Sequence, residues 1–357
     1  MAIVSHFYSF VVGIDTHART HHLAIVSNTG ELIDSQQFNA TAAGHARAMT
    51  WITRRTDHAS DVLVVIEGIA TFGALLAGVV ADAGFDLVEA ARMSACLHRN
   101  VGKSDPLDAH RIATAVLPLR TDELRHPRLD AGARGALRVL LCAREDMTHE
   151  RTAKVNALTG LLRRLALGID ARKPITPTQI VEVSRWRTRV EDIGMATARA
   201  ECIRLAKRIL DLNASLTQNM AEIADIVKAS PAVPLLNEVG IGPVTAAVLY
   251  TVWSHPGRVR SEAAFASLCG VNPIPASSGN TRRHRLNRGG DRRANKALHM
   301  ATLYRMGHDP ETIAYINKRT AEGLSRRETR RCLKRYLARR AYRILNNTTR
   351  PQTTLTT

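Results

Sequence analysis

The stretch FVVGIDTHARTHHLAIVSNTGELI, Phe10 to Ile33, constrains the fold of this chain more than any other. Its first apolar run ends on a single carboxylate, Asp15, and a second apolar run, HHLAIVS, resumes after a short polar turn. Runs of this length and β-branched content predict two neighbouring strands. Burying an unpaired charge is costly unless a partner or a metal compensates it, so Asp15 must stand near a strand end or belong to a site.

The following residues extend the pattern. GELIDSQQF reads as a third strand, and DVLVVIEG is a valine-rich apolar run that ends on a second acid, Glu67. Helical stretches AAGHARAMTWITRR and ATFGALLAGVVADAG alternate with these, and FDLVEAA reads as a short strand. The order β-β-β-α-β-α-β-α is that of ribonuclease-H-like domains, an order that other α/β folds can share. If it holds, Asp15 and Glu67 sit on neighbouring strands. A further acidic pair lies in GKSDPLDAHRIATAV, where Asp105 and Asp108 share one face at the start of a helix. Pro106 beside it makes Asp105 a natural helix cap, a role that leaves Asp108 unexplained. Four carboxylates from two strands and one helix start can hold two Mg²⁺ ions through hard oxygen ligands, an arrangement suited to phosphoryl transfer.

Beyond about residue 130 the texture changes to long amphipathic helices. Leu137, Leu140, Leu141, Met147, Val155, Leu158, Leu161, Leu162 and Leu165 recur at helical steps, as do Cys202, Leu205, Ile209, Leu212, Leu216, Met220, Ile223 and Val227. The proline-bearing DARKPITPTQ interrupts them, so residues 131–230 predict an antiparallel, coiled-coil-like hairpin with an elaborated tip. Its stripes suit an intramolecular core and a dimer seam equally. In PLLNEVGIGPVTAAVLYTV the turn Gly240-Ile241-Gly242-Pro243 predicts a helix-hairpin-helix whose backbone N–H groups can meet a phosphate. A plain helix cap followed by proline is the alternative. The expected architecture is therefore α/β plus all-α: an N-terminal domain over 1–130, a hairpin over 131–230 and a mostly helical C-terminal domain over 231–357.

Charge indicates the partner. With 50 Lys+Arg against 32 Asp+Glu the net charge is +18, which favours a polyanion. Between Thr281 and Met300 stand Arg282, Arg283, Arg285, Arg288, Arg292, Arg293 and Lys296 against the single acid Asp291. A solvated face would intermix signs, so this segment reads as phosphate-binding. SRRETRRCLKRYLARRAYRIL keeps Leu333, Leu337, Ala341 and Ile344 on one face and reads as a nucleic-acid-binding helix, with an amphipathic cap as the alternative. No apolar run reaches the roughly 20 residues that span a bilayer, and the N-terminus lacks a leader pattern, so a cytoplasmic protein is expected. The 5 cysteines form no CxxC pair and suggest neither zinc nor a disulfide framework.

GIDTHARTHHLAIVSNTGEL, VVIEG and KSDPLDAHRIA resemble the D, E and D-x-x-D blocks of the DEDD insertion-sequence transposases of the IS110 family, whose N-terminal domain is similar to the Holliday-junction resolvase RuvC. LLNEVGIGPVTAAVL followed by FASLCGVNPIPASSGNTRRHRLNRGGDRRANKALHMA resembles that family's C-terminal transposase block. The resemblance covers roughly residues 10 to 305 in the family's order. It implies that Asp15, Glu67, Asp105 and Asp108 bind Mg²⁺ and that Ser278, or its neighbour Ser277, attacks a DNA phosphodiester to give a phosphoserine link. Lys103 and the turn glycines Gly240 and Gly242 are expected to join the basic residues in binding nucleic acid. A bacterial, nucleoid-associated homo-oligomer, dimer or tetramer, acting on donor and target DNA under a structured bridge RNA is the corresponding expectation. Two rivals stand beside it: a Mg²⁺-dependent junction endonuclease in which water attacks, and a nucleic-acid-binding protein without activity.

Overall fold

The computed structural model describes residues 3–91, 104–128, 132–165, 167–276 and 284–348. The chain divides into two compact units, Met1–Leu129 with His255–Arg260, and Asp130–Ser254 with Ser261–Thr357.

The first unit contains β1 (Phe10–Thr16), β2 (Thr20–Ser27), β3 (Leu32–Asn39), α1 (Ala42–Arg55), β4 (Val62–Ile66), α2 (Ala74–Asp82), β5 (Asp86–Glu89) and α3 (Asp105–Thr114). The sheet order is β3-β2-β1-β4-β5. The first three strands form an antiparallel meander, and β1, β4 and β5 run parallel. Alternation along the strands sorts their side chains onto two faces. Val12, Ile14, Leu23, Ile25, Val64 and Ile66 pack under α1 and α2. Val11, Val26, Leu63 and Val65 pack under α3 against Ile112, Ala113 and Val116. Each fully buried aliphatic side chain here contributes about 1.5–3 kcal/mol.

Gly13 permits the second layer. A Cβ there would stand 2.1 Å from the carbonyl oxygen of Ala109 and 2.5 Å from the nitrogen of Ala113, so α3 lies with its backbone directly on β1. The segment His255–Arg260 joins this unit, where a ring nitrogen of His255 lies 3.0 Å from the carbonyl of Pro127.

In the second unit α4 (Gly132–Arg164) pairs with α6 (Ile193–Lys228), with α5 (Pro177–Ser184) near the turn. The pairing is antiparallel: Asn219 donates to the Leu140 carbonyl, Arg151 to Asn213, and Arg208 bonds Glu150. Near α5 the seam is apolar, with Leu158 and Leu162 against Cys202, Leu205, Ala206 and Ile209. The α4 stripe is interrupted: no described α4 residue between Leu141 and Leu158 is buried, and Met147 and Val155, read as part of it, are only half-buried. There Arg144 donates to the Leu216 carbonyl at 3.0 Å and Arg151 to Asn213, so long polar side chains bridge the two helices.

The rest of the unit comprises α7 (Pro243–Trp253), α8 (Glu262–Leu268), β6 (Pro273–Pro275), β7 (His284–Leu286), α9 (Arg292–His308), α10 (Pro310–Ala321) and α11 (Arg326–Thr348). Helix α7 is buried from Ala246 to Trp253, and the buried Arg134 guanidinium donates to the Thr251 carbonyl at 3.0 and 2.8 Å. The expected helix-hairpin-helix is only half present as such. Its first arm is a 3₁₀ segment, Val233–Asn237, where Pro234 removes a backbone donor. Gly240 has φ +80°, and a Cβ on it would stand 2.7 Å from the Ala301 carbonyl oxygen of α9, so glycine there serves a close approach. Gly242 caps the start of α7. No described helix is long and apolar enough to cross a membrane.

One buried pair generates a pH dependence. His21 on β2 stacks on His45 of α1 with ring centroids 5.3 Å apart, and the two residues are 1% and 4% exposed. Burial, with the mutual repulsion of the rings at His21, holds both imidazoles below their ordinary value, so they fold neutral. A histidine lowered in this way carries no penalty above about pH 6.5. As pH falls below that value it costs stability, by about 1.4 kcal/mol for each tenfold by which folding weakens its hold on the proton. We expect hydrogen-exchange protection of the β2 amides, corrected for intrinsic rates, to fall between pH 7 and pH 5. His45→Leu should flatten that fall, whereas an equal fall in the variant would assign it elsewhere.

Candidate metal centre and nucleic-acid interface

Asp15, Glu67 and Asp105 stand where the parallel strands β1 and β4 end, the edge at which open α/β sheets place their ligands. Asp15 lies two residues beyond Gly13 and shares its face, toward α3. Glu67 follows the last residue of β4, and its N–H donates to the Ile14 carbonyl at 3.0 Å. Thr16 Oγ1 donates to the Glu67 carbonyl at 2.7 Å and ties the two strand ends together. Because α3 rests on Gly13, its first turn brings Asp105 to the same edge.

Asp105 does not cap α3. The N-cap is Ser104, which makes no side-chain capping bond, and Asp105 is the first helical residue. The reading of Asp105 as a helix cap is therefore corrected: Pro106 sits one place further into the helix than that role requires. Instead, ligand atoms of Asp15, His17 and Asp105 lie within 4.8 Å of one another. Ligands on opposite sides of a Mg²⁺ ion stand about 4.2 Å apart, so a small closure of these side chains fits one divalent cation. His17 Nδ1 stands 3.9 Å from Asp15 Oδ2. Asp108 accepts a bond from Arg111 at 3.1 Å, one turn along α3, and Glu67 is exposed at the strand end. The fit of three donors rests on carboxylate oxygens that suit a hard ion and on one imidazole nitrogen that suits a borderline one.

Sequence reasoning missed His17 and His22. His17 follows Asp15 by two residues in the tight β1–β2 turn, closed by its N–H donating to the Thr20 carbonyl at 3.0 Å. His22 is the register partner of Asp15 on β2, and its Nε2 lies 2.8 Å from Ser35 Oγ. Burial lowers the His22 imidazole, opposed by the charges of Asp105 and Asp15. The available signal was the D-x-H spacing followed by the adjacent pair His21 and His22 across a short turn.

In the second unit Arg285, Arg288, Arg292 and Lys296 line a cavity of about 1000 Å³ beside β7 and α9. Arg293 faces elsewhere and pairs with Glu145 of α4. Lys103, Ser277, Ser278, Arg282 and Arg283 lie outside the described residues.

Residues 12–166 match the family model of DEDD transposases of IS110 type, described as transposase, and residues 234–317 match the model described as the transposase IS116/IS110/IS902 family. The chain is 25% identical over 364 residues to a 43.6 kDa protein of insertion element IS110 from Streptomyces coelicolor, covering 87% of this chain and 88% of that one. The chain belongs to the IS110 family of insertion-sequence transposases.

The metal reading has a direct test. Loss of even an outer partner of a metal ligand costs about 10–100-fold in affinity. Calorimetric titration of Mn²⁺ should therefore show Asp15→Asn and Asp105→Asn weakened by at least about tenfold, and His17→Ala by a smaller factor. Titration curves identical to wild type in all three would remove the cation from this edge.

Proposed function

We propose that this transposase cuts and joins DNA through a serine–phosphate intermediate, assisted by Mg²⁺ at Asp15, Glu67, Asp105 and Asp108. The observation that carries the reading is the convergence of Asp15 and Asp105, far apart in the chain, within reach of one cation at the end of β1. Those side chains would hold one or two ions, which when bound supply charge stabilisation to a phosphodiester.

Ser278 Oγ bonds to phosphorus, the bond from phosphorus to a deoxyribose oxygen breaks, and the hydroxyl proton passes to the leaving oxygen through solvent or a neighbouring base. Joining reverses this: a free DNA hydroxyl attacks the phosphoserine and Ser278 leaves with a proton restored. Arg285 and Arg288, in the same sequence block as Ser278, offset negative charge on the phosphate. Guidance by an element-encoded structured RNA, assembly as a dimer or tetramer, the three-part division at 130 and 230, and action at the bacterial nucleoid complete the proposal. The division rests on the change of hydrophobic periodicity along the chain, and the other three rest on the family resemblance and the chain's charge. A structured non-coding segment between the gene and an element end would support the guide.

Trapping with labelled DNA tests the chemistry. A covalent protein–DNA adduct should form with wild type and be absent in Ser278→Ala, and Asp15→Ala should lower its yield by orders of magnitude. Cleavage that survives Ser278→Ala and Ser277→Ala without an adduct would favour water as nucleophile. Mixing Asp15→Ala with Ser278→Ala protein should partly restore recombination if serine and acids of different subunits work together. No recovery from co-assembled mutants would place each complete site in one chain.

A further inference from the structure

The cavity beside β7 is walled on its far side by α11, and its charges are arranged unlike those elsewhere in the second unit. Arg285, Arg288, Arg292 and Lys296 face it from one wall, and Arg331 and Arg335 from the other. Arg292 and Lys296 are one helical turn apart, as are Arg331 and Arg335, so each helix presents its cations in a row. None of the six is ion-paired among the described residues, whereas Arg305, Arg339, Arg340 and Arg343 of the same unit are all paired with carboxylates. The carboxylates in the cavity are engaged at helix starts: Asp291 accepts from the Ala294 N–H at 2.9 Å, and Glu328 from Ser325 Oγ at 2.6 Å. Unneutralised cations gathered in a concavity call for a polyanion.

The floor narrows the choice. Val271, Leu286, Leu324, Cys332 and Tyr336 line the same cavity, and Leu286 and Tyr336 are 58% and 51% exposed. A duplex offers phosphates to such a surface and leaves the apolar floor without a partner. An unpaired strand offers phosphates to the rims and base faces to the aliphatic and aromatic groups. The walls are held at a fixed separation. Lys334 Nζ of α11 donates to Asn295 Oδ1 of α9 at 2.6 Å, and Asn295 Nδ2 donates to the Cys269 and Gly270 carbonyls at 3.2 and 2.9 Å. The turn before α9 packs backbone to backbone, since a Cβ on Gly290 would stand 2.6 Å from the nitrogen of Gly270. Tyr336 is braced by Tyr315 in an edge contact with centroids 5.8 Å apart.

We propose that the groove between β7, α9 and α11 holds an unpaired nucleic-acid strand, with its phosphates on the two rows of cations and its bases on Tyr336 and Leu286. The proposal deepens the reading of the chain as a recombinase by assigning α11 a place in substrate binding. Its test reads binding alone, so it stands or falls separately from the serine chemistry.

The full chain is titrated by fluorescence anisotropy against a labelled 12-nucleotide DNA strand, the RNA strand of the same sequence, and the corresponding DNA duplex. Arg331→Gln/Arg335→Gln should weaken single-strand binding by at least about tenfold and lower its log–log salt slope by about 1.4, for two phosphates lost from a single strand. Tyr336→Ala should weaken it by about tenfold with the slope unchanged, and Tyr336→Phe should restore it. Unchanged thermal unfolding of the variants excludes loss of fold. Losses on both strands mark a site for either nucleic acid, and losses confined to RNA mark one that reads the 2′-hydroxyl, both in support. Wild-type affinity and slope of the double variant on both strands would overturn the groove. Equal losses on strand and duplex with Tyr336→Ala silent would overturn the unpaired strand.

Discussion

Helix α3 lies on β1 through contact between two backbones, with no side chain intervening at Gly13. Close approach of this kind is available only where one partner lacks a Cβ, and any larger residue would lift the helix by the thickness of a methyl group or more. The height and tilt of α3 fix where its first turn falls, and that turn carries Asp105 and Asp108. The parallel pairing of β1 with β4 sets Glu67 beside Ile14, so both strand ends and the helix start are referred to the same central strand. The acidic edge thus follows from the way two buried layers meet at one glycine.

The second unit solves a different problem with the same inventory of charges. Its arginines divide into those that hold the fold and those that face a cavity. Arg134 and Arg144 spend their guanidinium donors on backbone carbonyls, and Arg305 joins Glu238 and Asp309 at the junction of α9 and α10. Such partly buried pairs are costly to break, because the partner is left charged and desolvated. Among the described residues Arg285, Arg288, Arg292, Lys296, Arg331 and Arg335 along the cavity lack such partners and remain available to an external anion. Net charge alone counts the two populations together, although only one of them is left uncompensated among the described residues.

Much of the first unit was legible in the sequence, because its strands are apolar runs of ordinary length separated by polar turns and its helices keep a 3.6-residue period. The hairpin was legible for the same reason, but its polar middle was not: Met147 stands alone between Leu141 and Val155, and the reach of Arg144, Glu150 and Arg151 to the facing helix depends on how α4 and α6 pair. The strands β6 and β7, with Pro273 and Pro275 in one of them, carry no periodicity at three residues each. Asp105 looked like a cap because capping and ligation use the same residue type at almost the same position. His17 was hidden for want of a long-range signal, since its meaning depends on α3 arriving from ninety residues away. The groove was likewise illegible: its two walls are adjacent only after α9 and α11 have packed.

The short segment His255–Arg260 belongs to the first unit although the chain on both sides of it belongs to the second. During synthesis, therefore, the N-terminal unit is not finished when its own helices and sheet have left the ribosome. It waits for the stretch between Leu129 and His255, roughly 6–25 s at about 5–20 residues per second. A message broken or a reading frame lost before that point yields an N-terminal fragment that lacks a piece of its own fold, in addition to everything downstream. Such a fragment carries β1, β4 and α3 but lacks the distant segment that completes their unit.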